Sequence, residues 1–224
     1  MILEFNNVLS TAELATIIDA LRDEDFEDGK LTAGWHAKLV KNNAQLKAED
    51  SERLNTVRTT INKAIERNHE FVRAFRPKAV KSALVSRYTE SMHYGSHVDD
   101  PFMPGHPPIR TDIAMTLFLV DPESYDGGEL IAESTYGRRA FKLPAGSMVV
   151  YPATTLHEVR PVTAGVRLCA VAWGQSLLRD PVQREIILDL DNARRDLFER
   201  EGKSRAFDLI SKTHANLLRM WGEF

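Results

Sequence analysis

Apolar residues in the first part of the chain recur at helical spacing. Ser10 and Glu13 stand in a capping-box arrangement, and Leu14, Ile17, Ile18 and Leu21 follow as one stripe, which predicts a helix over about 11–21. A second stripe, Leu54, Val57, Ile61, Ala64 and Ile65, begins after Ser51 and ends near Asn68. These two helices are expected to cover one face of a sheet. From Lys81 to Ser176 the pattern changes to short runs such as IAMTLFLV, GELIAE, SMVVYP and VRLCAVAW. They are separated by turn residues at Pro104-Gly105, Asp126-Gly127-Gly128, Pro144-Ala145-Gly146 and Thr163-Ala164-Gly165. Such text fits the strands of a sandwich or barrel. Asp180 followed by Pro181 then opens a helix with Ile186, Leu190, Ala193 and Leu197 as its expected buried edge, and a last helix carries Phe207, Ile210, Leu217 and Trp221. The prediction is a mainly β fold with flanking helices. One domain spans 1–179, helical over 1–80 with a β core over 81–179, and a helical extension covers 180–224.

With 224 residues, 43% of them hydrophobic, the chain can bury a full core. Its net charge of −3 excludes a generally basic, nucleic-acid-coating protein, so no nucleic-acid partner is expected. The opening MILEFNNVLSTAEL has no basic segment leading into an apolar stretch, and no later run approaches membrane-spanning length. The expectation is a cytoplasmic protein with no membrane partner. The one cysteine, Cys169, cannot form an internal disulfide and sits in strand-like text, where it reads as a small buried hydrophobe.

The candidate chemistry lies in His97, Asp99, His157 and Arg167. Strand alternation puts His97 and Asp99 on one face and sends Val98 and Asp100 to the other. Two imidazoles and one carboxylate, with no fourth protein ligand, suit non-haem Fe(II) with open positions. If Pro161 to Gly165 form a hairpin loop, His157 pairs with Cys169 and shares a face with Arg167 on a diagonal of about 7–8 Å. A short dicarboxylic acid could then be held at both ends, by the metal and by a bidentate guanidinium. Two rivals stay open: a zinc hydrolase using the same three ligands, and a cupin-like iron or 2-oxo-acid sensor without turnover. His93 is expected to be structural, because Gly95 marks a bend or bulge between it and His97. His106 reads as a loop residue, and His36, His69 and His214 have no partners at ligand spacing. The loop with Phe102 and Met103 is either a substrate rim or a plain connector.

The stretches RYTESMHYGSHVDD, DIAMTLFLVDPESYDGGEL and LPAGSMVVYPATTLHEVRPVTAGVR resemble the iron- and 2-oxoglutarate-dependent dioxygenases of the prolyl 4-hydroxylase superfamily. More narrowly, DGKLTAGWHAKLVKNNAQL and the helical tail after Asp180 resemble bacterial PKHD-type hydroxylases of the PiuC and YbiX group. The resemblance implies a double-stranded β-helix, or jelly roll, with iron near one open end. It assigns iron to His97, Asp99 and His157, the distal carboxylate of 2-oxoglutarate to Arg167, and a place in the cosubstrate pocket to Tyr88. Some animal relatives carry a second carboxylate-binding tyrosine where this chain has Phe118, and Thr116 is the expected replacement. Fe(II), 2-oxoglutarate, O2 and ascorbate as a reductant follow as cofactors. A peptide or small-molecule substrate and a link to iron uptake are further implications; the apolar stripes of the two C-terminal helices are expected, by themselves, to pack on the barrel or on another copy of the chain.

Overall fold

A computed structural model describes residues 1–48, 51–135 and 137–223. The first half contributes β1 (Leu3–Phe5), α1 (Thr11–Ala20), β2 (Phe26–Asp28), β3 (Lys41–Asn42), β4 (Ala44–Leu46), α2 (Glu52–Glu66), α3 (His69–Phe75), β5 (Pro77–Val80), β6 (Leu84–Tyr88), β7 (His93–His97), β8 (Phe102–Met103) and β9 (Ile109–Arg110). The second half adds β10 (Ile113–Phe118), β11 (Tyr125–Gly127), β12 (Leu130–Ser134), β13 (Gly137–Phe141), β14 (Met148–Pro152), β15 (His157–Val159), β16 (Val162–Gly165) and β17 (Arg167–Ser176). The helices α4 (Pro181–Glu201) and α5 (Arg205–Trp221) follow.

The strands form a double-stranded β-helix of two antiparallel sheets. The major sheet runs β1-β14-β10-β17-β6-β4-β2, with β5 also on β17, and the minor sheet runs β13-β12-β15-β7-β3. Alternation along the major strands sorts their side chains by layer. Ile113, Met115, Leu117, Met148, Val150, Leu168, Ala170 and Ala172 belong to one core cluster with Ile17, Leu54, Val57, Ile61, Ile65, Phe71 and Phe75 of α1, α2 and α3. Ala114, Phe118, Val149, Tyr151 and Cys169 form a second cluster with Leu130, Phe141 and Val159 between the sheets. All six residues of β10 are buried because both faces are covered, which is why that run is apolar apart from Thr116.

The helix stops and starts follow the residues expected of them. Ser10 and Glu13 close a reciprocal capping box, and Ser51 caps α2. Asp180 caps α4 with Pro181 in its first turn, and α4 ends at Gly202, whose φ of +66° favours glycine.

Three expectations need correction. The first 80 residues are not purely helical: they also supply β1 to β5, strands of two to four residues that are too short to show alternation in the sequence. The buried edge of α4 is Arg184, Ile187, Leu188, Asp191 and Leu197, rotated from the predicted stripe, and Ile186 is 40% exposed. Phe207, Ile210, Leu217 and Trp221 of α5 are only half-buried, while His214 is fully buried. The reason is polar: Asp191, fully buried, ties α4 to Arg73 of α3 at 3.0 Å, while Arg194 at 2.5 Å and Arg195 at 2.9 Å pair with it from within α4. Arg184 donates to the Leu178 carbonyl at 2.6 Å, and the Glu223 amide donates to the Leu177 carbonyl at 2.8 Å, so the tail is pinned to the end of β17.

Asp191→Ala should therefore lower stability by about 1.5–3 kcal/mol, the range for hydrogen bonds to a charged group, since the arginines left behind are partly exposed and can turn to water. A urea midpoint unchanged from wild type would show that apolar contacts alone dock the tail. Glu13 offers a pH test. Hydrogen bonds from Arg67, then from Ser10, hold its carboxyl down from 4.5 to about 2. A depressed carboxyl contributes stability that is present above 4.5 and lost as pH falls toward about 2. The difference in melting temperature between wild type and Glu13→Gln should be present at pH 7 and close by about pH 2.

Candidate active site

The three ligand candidates meet at one end of the minor sheet. His97 closes β7 and His157 opens β15, and the two are directly paired in the sheet register, with ring centroids 4.2 Å apart. Asp99 follows two residues after His97 and places Oδ1 3.8 Å from His157 Nε2. One ligand atom from each residue lies within 4.8 Å of the others. Each imidazole is oriented through Nδ1, which sits 2.8 Å from the Gly95 carbonyl in His97 and 3.0 Å from the Thr155 carbonyl in His157. That arrangement fixes the tautomer and leaves Nε2 as a free lone pair on both rings.

The charge states agree. Burial first, and the neighbouring His157 second, push the His97 imidazole down to about 3, so it is neutral and able to ligate at pH 7. Burial raises the Asp99 carboxyl above its usual value, and its Oδ2 is buried with no hydrogen-bond partner. Two imidazole nitrogens and an unsatisfied carboxylate oxygen, converging within 4.8 Å, fit a divalent metal held by two His and one carboxylate.

A distortion of β7 shapes this centre. Register shifts between its pairs with His157 and Val159, so Tyr94 rather than His93 faces inward, and the Tyr94 ring stacks on His97 at 3.6 Å. Gly95 permits it by close approach: a Cβ there would meet Val40 Cβ at 2.9 Å. His93 turns back to its own loop, with Nδ1 3.1 Å from the Ser91 carbonyl, as expected of a structural residue.

Arg167 lies on the opposite wall. The predicted hairpin between β15 and β17 does not form: β15 pairs with β7 and β12, β17 pairs with β10, β6 and β5, and β16 pairs with β11. The chain crosses from the minor to the major sheet at Pro161 to Gly165, so His157 and Arg167 face each other across the interior rather than along one sheet. Arg167 is 1% exposed, paired in register with Tyr88, and its guanidinium sits 5.0 Å from the Tyr88 ring and 5.6 Å from that of Phe118. Its Nη1 donates to Cys169 Sγ at 2.9 Å and its Nε has no partner. Among the described residues no carboxylate lies within 4.0 Å of it. Cys169 is fully buried, as its strand position suggested.

Thr116 is buried on the inward face of β10, with its hydroxyl toward the Tyr151 phenol; Phe118, not Thr116, is the β10 residue against the Arg167 guanidinium. Tyr151 and Tyr125 were not singled out by the sequence. Tyr151 lies 5.2 Å from His157, and alternation from Val149 could have placed it inward. Tyr125 lies near Arg167, its phenol pushed up to about 12 by burial. It enters through the Asp126-Gly127-Gly128 turn, where a Cβ on Gly128 would meet Arg167 Cδ at 3.0 Å. That turn thus closes the chain over Arg167. The walls enclose a cavity of about 220 Å³ lined by the triad, Tyr88, Thr116, Arg167 and Lys41, with Met103 and Pro104 at its edge. His69 and His106 are exposed, and His214 is buried near Asp191, 3.9 Å away. His36 lies close enough to lower His97 slightly and contributes no ligand. Among the described residues no helix is long and apolar enough to cross a membrane.

A family model for the 2OG-Fe(II) oxygenase superfamily matches residues 83–175. A PKHD-type hydroxylase from Synechococcus sp. (strain JA-2-3B'a(2-13)) is 53% identical over 224 residues, covering 100% of both chains. One from Rippkaea orientalis is 52% identical over 223 residues, again covering 100% of both. Among solved structures, a Trichoplax adhaerens prolyl hydroxylase in complex with a hypoxia inducible factor peptide has a TM-score of 0.58 at 14% identity, covering 78% of this chain and 83% of that one. A Pseudomonas putida prolyl-4-hydroxylase has a TM-score of 0.55 at 16% identity, covering 78% and 92%. These structures share the fold, and identity of about one half along the entire length carries the narrower assignment: the chain belongs to the PKHD-type hydroxylases of the 2OG-Fe(II) oxygenase superfamily.

Proposed function

We propose that the chain hydroxylates an unactivated C–H bond of a peptide or small molecule, with His97, Asp99 and His157 holding Fe(II) and Arg167 holding the distal carboxylate of 2-oxoglutarate. The observation that carries this reading is the pairing of two unsatisfied sites across one cavity. One is a convergent set of free imidazole nitrogens and a carboxylate oxygen, and the other is a buried guanidinium with no carboxylate within 4.0 Å among the described residues. When bound, iron and 2-oxoglutarate supply the oxidising chemistry, with O2 consumed and succinate and CO2 released.

The chain's own residues bind, orient and exclude water. The Gly95 and Thr155 carbonyls hold both imidazoles in the ligating tautomer. Tyr88 and Phe118 flank the Arg167 guanidinium on apolar surfaces, which removes competing water from its fork and leaves it suited to a bidentate carboxylate. Thr116 and Tyr151 pair on the wall between, and this reading gives Thr116 a place in the pocket lining through Tyr151 rather than a direct replacement of a tyrosine at Phe118. A zinc hydrolase has no use for a buried cation facing its metal ligands.

His97→Ala, Asp99→Ala and His157→Ala should each abolish stoichiometric Fe(II) binding and 2-oxoglutarate-dependent succinate release while far-ultraviolet circular dichroism stays close to wild type. A variant that binds one equivalent of iron as wild type does removes its residue from the site. Arg167→Met should weaken 2-oxoglutarate binding roughly tenfold to a hundredfold, the cost of a charge-assisted bidentate contact. The same variant should be no less stable than wild type to urea in the absence of cosubstrate, because an apolar side chain replaces a buried cation whose one hydrogen bond, to Cys169 Sγ, is to a weak acceptor. A lower urea midpoint with unchanged 2-oxoglutarate affinity would make Arg167 a structural residue.

A further inference from the structure

The cavity contains a second cation that iron and 2-oxoglutarate leave unused. β3 pairs with β7 in the minor sheet and β4 pairs with β6 in the major sheet, so the chain from 41 to 46 crosses between the sheets. Along this extended crossing Lys41, Asn43 and Gln45 are buried at 4–5% exposure, while Asn42 is exposed. All three buried residues line the cavity. Three polar side chains in alternation are the reverse of what a strand packed into an apolar core presents.

The Lys41 ammonium donates to Thr32 Oγ1 at 3.0 Å and lies 5.2 Å from the Tyr94 ring. The Thr32 hydroxyl donates onward to Gln45 Oε1, and Gln45 Nε2 donates to Ser86 Oγ at 3.2 Å. This chain of hydrogen bonds holds the amine through one of its three N–H groups. No carboxylate lies within 4.0 Å of it among the described residues. Burial lowers the amine to about 8, with Asp28 and Asp99 acting against that from farther off, so it is mostly protonated at neutral pH. Asn43 adds a buried amide that lies toward the Tyr88 phenol and makes no well-formed hydrogen bond. Lysine is rarely buried without a partner, since a desolvated ammonium is among the costlier groups to enclose.

Arg167 already accounts for the distal carboxylate of the cosubstrate, and its neighbours Tyr88, Phe118, Tyr125 and Cys169 do not include Lys41. Lys41 stands instead beside Tyr94, the ring stacked on His97. We infer that Lys41, supported by Thr32 and Asn43, anchors a carboxylate of the prime substrate, so that the substrate is a carboxylic acid held with its reacting C–H bond toward the triad. This deepens the oxygenase reading and rests on it.

Titration calorimetry on the full chain, with Mn(II) in place of iron and saturating 2-oxoglutarate, tests the inference with two matched pairs of probes. N-acetylleucine and its amide represent a free acid, and an alanine pentapeptide with a free or amidated C-terminus represents a peptide. Wild type should bind at least one acid roughly tenfold to a hundredfold more tightly than its amide, as a charge-assisted contact provides. Lys41→Met and Lys41→Gln should lose that preference, and Lys41→Arg should keep most of it. Lys41→Gln retains a hydrogen-bond donor for Thr32, so its loss of preference isolates the charge from the support of the fold. A preference in one pair alone supports the inference and identifies whether the acid is free or a peptide terminus. Equal affinity for acid and amide in both pairs, including no binding at all, overturns it, as does a preference that Lys41→Met retains. Uptake of Mn(II) and 2-oxoglutarate by the same samples tests the oxygenase reading separately, and the acid preference is scored with or without that uptake.

Discussion

The packing of α1, α2 and α3 on the outer face of the major sheet is the contact on which the pocket depends, because it frees the inner face from supplying the whole core. Ile61, Phe71, Phe75, Ile113 and Leu117 are almost completely buried in that outer layer. Each such side chain contributes about 1.5–3 kcal/mol on burial. The inner layer can then carry Arg167, Thr116 and Tyr151 among its apolar residues without the sandwich coming apart. The same strand does both jobs: Leu168 and Ala170 face the helices, while Arg167 and Cys169 face the cavity.

Electrostatics turn this polar interior into a prepared site. Burial keeps His97 in its neutral, ligating form and raises the Asp99 carboxyl, so it is the carboxylate whose charge the fold leaves poorly compensated. Among the described residues no carboxylate lies within 4.0 Å of Arg167 or Lys41, both of which are buried. Each arrangement costs stability in the empty protein, and each cost is relieved by a ligand of the matching charge: a cation at the triad, anions at the two basic groups. A site whose strain all points toward ligand binding is better explained by function than by packing.

Much of this could be read from the chain, because strand alternation works from residue type alone. It placed His97 and Asp99 on one face, and it put Arg167 on an inward face even though the assumed partner strand was wrong. The error with β15 and β17 came from treating Pro161 to Gly165 as a hairpin loop, when the chain uses those residues to change sheets; local spacing carries no information about such a crossing. The inward position of Tyr94 was hidden for a related reason, since the β7 irregularity breaks the odd-even count that alternation needs. Lys41, Asn43 and Gln45 escaped notice because β3 and β4 are two and three residues long, so their alternation spans two sheets rather than one strand. The edge of α4 was misjudged because apolar periodicity cannot register a buried Asp191 that draws three arginines around itself.

The two basic groups of the cavity differ in a way that fits what each is assigned to hold. Arg167 presents a planar fork between two aromatic rings, immobile on all sides, and such a fork suits one carboxylate that arrives in the same pose at every turnover, as a cosubstrate does. Lys41 is a point charge on a flexible stem, held at its tip by a single hydroxyl. That arrangement tolerates variation in where the anion sits relative to the triad, as is required when the rest of the bound molecule differs from the cosubstrate in size and shape. The segment that carries Lys41 also bridges the two sheets, with Lys41 paired to β7 on one wall and Gln45 paired to β6 on the other.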